Sequence, residues 1–80
     1  MLPQEIIHGF GFEKDNQLWK ATLMLIDASI EAETAAAISK EVKGEDRAWH
    51  CGRVDALTSF KDVLLNTRDT VLKDLGRPPE

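Results

Sequence analysis

Residues 44–76 read GEDRAWHCGRVDALTSFKDVLLNTRDTVLKDLG, and this stretch decides the fold. It predicts one long amphipathic helix with a marked start, a marked stop and an apolar seam. Gly44 suits the left-handed turn that ends a preceding helix. Glu45 and Asp46 follow it, and Asp46 is the better N-cap because its carboxylate can accept first-turn amide hydrogens. Lys73, Gly76, Pro78 and Pro79 close the far end, since proline cannot continue a helix. No proline interrupts residues 46–75, so the helix should run about 45 Å.

Leu57, Phe60, Leu64, Thr67 and Val71 recur at alternating steps of three and four, the spacing of one helical face. Asp55, Asp62 and Asp69 fall seven apart on another face. Asp69 precedes Lys73 by four, an order that adds a few tenths of a kcal/mol. Leu65 and Leu72 flank the seam on one side, and Ala56 and Val63 on the other. An apolar arc this wide predicts more than one packing partner.

Working upstream, Asp15 or Asn16 caps a first helix expected over residues 16–42. Leu18, Trp19, Leu23, Leu25, Ile26 and Ile30 crowd its first half. Ala28, Ala32, Ala35, Ala36 and Ala37 leave the second half thin and strongly helix-forming. The short turn at residues 43–46 makes the two helices antiparallel neighbours. Folding the chain about residues 44–45 sets Gly52 against Ala36 and Ala37, Leu57 against Ala32, Phe60 against Ala28 and Ser29, Leu64 against Leu25 and Val71 against Leu18. Gly52 then serves close backbone approach.

Residues 1–14 form a separate segment. Pro3 argues against an early helix, and Phe10 and Phe12 alternate with glycines, which suits an extended arm. Ile6, Ile7, Phe10 and Phe12 should cover the chain's own helices or reach a neighbouring subunit. Residues 77–80 read as an exposed tail. The fold expected is therefore all-α: an antiparallel two-helix hairpin (15–76) with an extended N-terminal arm, assembling into an oligomer.

Composition narrows the function classes. Eighty residues make one domain with little core, and such chains lean on oligomers, metals or disulfides. A single cysteine, Cys51, cannot form an internal disulfide, and it reads as a small buried hydrophobe in a reducing compartment. The net charge of −4 argues against a nucleic-acid-binding face. No apolar run approaches the roughly 18–20 residues of a membrane span. The first residues lack the pattern of a secretory leader, so the expected setting is cytoplasmic.

Motifs for catalysis or cofactors are weak. His50 and Cys51 are adjacent and diverge by about 100° on a helix, too far apart for a metal pair or a nucleophile–base pair. The Asp55, Asp62 and Asp69 carboxylates are two turns apart, too distant to share a metal or form an acid–base dyad. The Gly-Phe-Gly of residues 9–11 and its neighbours lacks the context of a phosphate loop. No cofactor, no metal and no enzymatic activity are expected. Arg53 points near the hairpin seam, where Glu33 or Glu41 could pair with it. Trp19 and Trp49 read as core or interface anchors.

The run Ala48-Trp49-His50-Cys51-Gly52-Arg53-Val54-Asp55-Ala56-Leu57 resembles small phage and prophage helical-hairpin proteins of the form His-x-Gly-Arg-x-x-x-Leu. His50, Gly52, Arg53 and Leu57 stand at the matching places, and the likeness spans roughly the second half of the chain. It implies phage origin and a role in virion assembly or host takeover. The expectation is a structural or interaction protein, a virion component or assembly factor, found in the virion or the host cytoplasm. Its partners are its own copies and other phage or host proteins. Ile6, Ile7, Phe10, Phe12, Trp19, Trp49 and Arg53 are its candidate interaction residues. The alternative is a small regulator that binds and inhibits a host protein.

Overall fold

The structure is a computed structural model, and it describes residues 2–39 and 43–78. Among these residues all regular structure is helical: α1 spans Gln4–Phe10, α2 Gln17–Ile38 and α3 Glu45–Asp74. Helices α2 and α3 pack together as a hairpin, and α1 packs on α3.

Both long helices begin and end near the expected residues, for local reasons. At the start of α2, the Asn16 side chain accepts the Trp19 amide hydrogen at 2.9 Å, so Asn16 rather than Asp15 is the cap. The helix ends at Ile38, and the last turn expected at residues 40–42 lies outside the described residues. Helix α3 starts one residue earlier than anticipated. Gly44, at φ 61°, is its N-cap, with no side-chain cap bond. Asp46 is therefore not the cap but a second-position acid, placed to favour the positive end of the helix. At the other end, Gly76 has φ 69°. The Arg77 amide bonds Leu72 O at 2.9 Å and the Gly76 amide bonds Lys73 O at 3.0 Å, which is a complete Schellman stop.

The seam between α2 and α3 follows heptad steps on both sides. Trp19, Leu23, Ile26, Ile30, Glu33 and Ala37 of α2 meet His50, Val54, Leu57, Lys61, Leu64, Arg68 and Val71 of α3, all of them buried or half-buried. Lys61 Nζ reaches Asp27 Oδ1 at 2.7 Å. That contact lies within one residue of the register expected from the fold-over of the sequence. The rotation of α3 differs, however. Phe60, expected in the seam, is 55% exposed, while Lys61 and Arg68 take up seam positions. Their long aliphatic stems line the interface and their charged heads find partners at its edge.

Two further expectations on α3 are corrected. Gly52 does not face the alanines of α2: a Cβ built on it would meet nothing within 4 Å. Cys51 is exposed rather than a buried hydrophobe. An open site inside a helix gives glycine no packing use. Gly52→Ala should then stabilise the chain by about 0.5–1 kcal/mol through helix propensity, and Gly52→Leu should not lower the melting temperature. Thermal denaturation followed by circular dichroism checks both.

The N-terminal segment is not an extended arm. Pro3 caps α1 instead of blocking it: its carbonyl accepts from the amides of Ile6 and Ile7, each at 3.1 Å, and a residue before the first turn needs no amide hydrogen of its own. Seven residues cannot hold a helix alone, and two arginines supply the missing support. Arg68 Nη1 donates to Phe10 O at 2.6 Å. Arg77 donates through Nη1 to Gly11 O at 2.7 Å and through Nη2 to Phe12 O at 3.0 Å. The guanidinium groups thus satisfy carbonyls that the end of α1 would otherwise leave bare. Gly11 permits the close approach, since a Cβ there would sit 3.1 Å from Leu75 Cδ1. Arg77, expected in an exposed tail, is half-buried by these contacts.

Phe10, Phe12 and Trp19 close the open end of the hairpin as one ring cluster. Trp19 lies 5.9 Å from Phe10, edge-on, and 5.2 Å from Phe12, centroid to centroid. The Arg68 guanidinium carbon sits 3.9 Å from the centre of the Phe12 ring, and Arg68 is only 2% exposed. Among the described residues the buried apolar ones are few: Ile26, Ala37, Val71 and Leu72. The molecule is long for its mass. It extends 50 × 25 × 19 Å with a radius of gyration of 16.1 Å, where a compact chain of this length gives about 12 Å.

Candidate interaction face

The seam just described uses one side of each helix, and a second stripe lies beside it on each. On α2 it is Leu18, Thr22, Leu25, Ser29, Ala32 and Ala36; on α3 it is Trp49, Arg53, Ala56, Phe60, Val63 and Thr67. Both advance by four, three, four, three and four, the heptad rhythm of a packing surface. The stripes lie on the same side of the hairpin. On that side Arg53 crosses to Glu33 at the edge of the α2 seam, whereas Lys61 crosses to Asp27 on the opposite side. At the open end, a groove of about 310 Å³ is lined by Leu18 and Thr22 of α2, Leu64 of α3, and Gly9, Phe10 and Phe12.

This face is apolar and nearly free of charge. Leu18, Leu25, Trp49, Phe60 and Val63 are all large and more than half exposed. Arg53 is the sole charged member of the two stripes. At 100° per residue, Lys20, Asp27 and Glu31 of α2 and Asp55, Asp62, Asp69 and Lys73 of α3 fall on the other side or the back. Asp69 and Lys73 pair there at 3.2 Å.

The charge of Arg53 is matched within the chain. Its Nε donates to Glu33 Oε1 at 2.8 Å, and the Nδ1–H of His50 donates to Glu33 Oε2 at 2.6 Å. The Arg53 guanidinium lies 4.6 Å from the Trp49 ring centre, and Trp49 meets the His50 ring edge-on at 4.8 Å. His50 and Arg53 of the His-x-Gly-Arg segment thus clasp one carboxylate of α2. Their spacing of three brings both to the same side of α3.

The hydrogen bond from His50, followed by the hydrogen bond and charge of Arg53, lowers the pKa of Glu33 from its ordinary 4.5, against an opposing push from desolvation. A carboxylate with a depressed folded pKa stabilises the fold above its unfolded pKa, and that contribution is lost as pH falls through the folded value. The melting temperature of the native chain should therefore drop between about pH 5 and pH 3. It should drop further than that of Glu33→Gln, which keeps every other carboxylate. Parallel pH-dependent slopes in the two proteins would remove the clasp from the acid response.

The seven residues singled out from the sequence divide into two groups. Phe10, Phe12 and Trp19 are half-buried against one another, and Ile6 and Ile7 are half-buried in α1. Trp49, at 57% exposure, and Arg53 lie on the open face. Phe60, Leu18 and Leu25 belong to that face as well, although their spacing also fitted the seam. Among the described residues, no three His, Cys, Asp or Glu side chains converge as metal ligands, and no helix is long and apolar enough to cross a membrane. No family model, curated protein or solved structure matches the chain.

Proposed function

We propose that the chain is a structural or interaction protein that acts by helix packing through the open face of its hairpin. The observation that carries this reading is the second heptad stripe on each helix, apolar, exposed and on one side. Hairpin formation already uses the first stripe, and the large apolar residues of the second, of the same rhythm, stay more than half exposed. The N-terminal aromatics, engaged with Trp19 and Arg68, have less to offer a partner than Trp49, Phe60 and Val63. The likeness of residues 48–57 to small phage hairpin proteins supports a virion component or assembly factor as the setting.

A photocrosslinking residue tests the face directly. Placed at Val63 in the cell that expresses the chain, it should yield protein adducts, and placed at Asp62 on the charged side it should yield few. Equal yields from the two sites would overturn the assignment of the face. Co-sedimentation with particles tests the setting, and a chain absent from particles would instead fit a free regulator.

A further inference from the structure

We propose that the occupant of the open face is a second copy of this chain, giving a two-fold dimer built as a four-helix bundle; this rests on the face being an interaction surface. Three observations carry it. The first is area. The chain exposes 6016 Å², whereas a folded monomer of its mass exposes about 4,900 Å². The excess of about 1,100 Å² exceeds the roughly 800 Å² that each partner buries in a standard interface. One contact of ordinary size brings the chain to the exposure of a compact protein.

The second observation is shape. A two-fold interface must complement itself, each residue of the patch meeting its counterpart across the axis. This face holds both halves of such a fit. The α3 stripe is bulky, with Trp49, Phe60 and Val63, and the α2 stripe is thin over Ser29, Ala32 and Ala36. The bulky ridge of each copy lies along the thin groove of the other, and the alternation of three and four suits the shallow crossing of a four-helix bundle.

The third observation is charge. Arg53, the one cation of the stripes, is already paired with Glu33 inside the chain. Between Trp49 and Thr67 the face therefore has no net charge to select an acidic or basic partner. Charges crowd the other side, which stays in water when two copies join through the apolar one.

Sedimentation equilibrium of the full chain over roughly 1–100 μM, the range in which micromolar affinities are read, should give twice the 9.0 kDa chain mass. Phe60→Glu should weaken the dimer by about 100-fold, since it buries an unpaired carboxylate, and Asp62→Lys should leave it intact. Hydroxyl-radical footprinting of the native chain covers the case in which Phe60→Glu does not fold. Trp49, Phe60 and Leu25 should gain protection as concentration rises, while Met24, outside both stripes, should not. A dimer that protects a different set of residues would overturn the proposal. So would a native chain of 9.0 kDa at every concentration. If that monomer still crosslinks through Val63 to another protein, the face is an interaction surface for a different partner. If it crosslinks to nothing, the functional reading falls with it.

Discussion

Arg68→Met should destabilise the chain by about 3 kcal/mol, a large share of the total for a domain of this size. Methionine keeps most of the aliphatic stem and so most of the packing. It removes the donor that Phe10 O accepts at 2.6 Å and the cation over the Phe12 ring at 3.9 Å. A hydrogen bond from a charged group contributes about 1.5–3 kcal/mol, and a desolvated cation–π contact about 1–2 kcal/mol. Phe10 O is left without that partner at the end of α1, which adds to the loss. Arg77→Met should cost less, about 1–2 kcal/mol, because the Arg77 side chain is 28% exposed and water can replace it. Urea denaturation of the two variants gives both values. An Arg68→Met protein as stable as the native chain would mean that the guanidinium does not hold α1 in place.

Deleting residues 1–12 should be as damaging. The segment contributes Phe10 and Phe12, the two rings packed against Trp19. It also contributes the carbonyl and the ring that Arg68 engages. Without it, a buried guanidinium loses the Phe10 carbonyl and the Phe12 ring, and Trp19 loses its cover. Losing one buried aromatic costs about 3–5 kcal/mol in a well-packed site, so the truncated chain should melt lower by more than about 10 °C. A truncated chain that melts with the native one would restore α1 to the status of a dispensable arm.

Much of the hairpin was legible from residue types alone because its determinants are local. Asn16, Gly44, Lys73 and Gly76 mark helix ends through their own backbone and side-chain chemistry, and the short turn makes the helices antiparallel. The longitudinal register was legible to within a few residues, as the Lys61–Asp27 and Arg53–Glu33 contacts show. The rotation of α3 was not. A search for apolar spacing favours Phe60 over Lys61 and Thr67 over Arg68, because it treats a long cationic side chain as wholly polar. Here the aliphatic stems enter the seam and Phe60 turns outward. Gly52 was misplaced because, five residues before Leu57, it falls about 140° around the helix from that seam residue. The N-terminal helix was hidden for another reason: its stabilising contacts come from Arg68 and Arg77, more than 50 residues away in sequence. Of the candidate site, Ala56 and Val63 were visible as a flank beyond the seam, and Trp49 as a core or interface anchor. Leu18, Leu25 and Phe60 were not separable from the core, since spacing alone cannot say which of two adjacent stripes meets the partner helix.

The Arg68–Phe10 bond joins residues 58 positions apart, and this separation sets an order of events in folding. Helices α2 and α3 meet across a short connection, so their pairing closes a small loop at low entropic cost. Helix α1 can dock only after a formed α3 and the turn that ends it set Arg68 and Arg77 in place, and closing the longer loop costs more. Too short to persist alone, α1 is the last element to form and the first to open. Its opening is a sub-global event that leaves the paired helices standing. In that opened state the Trp19 ring and the Arg68 guanidinium come into contact with solvent together, at the end of the molecule away from the hairpin turn.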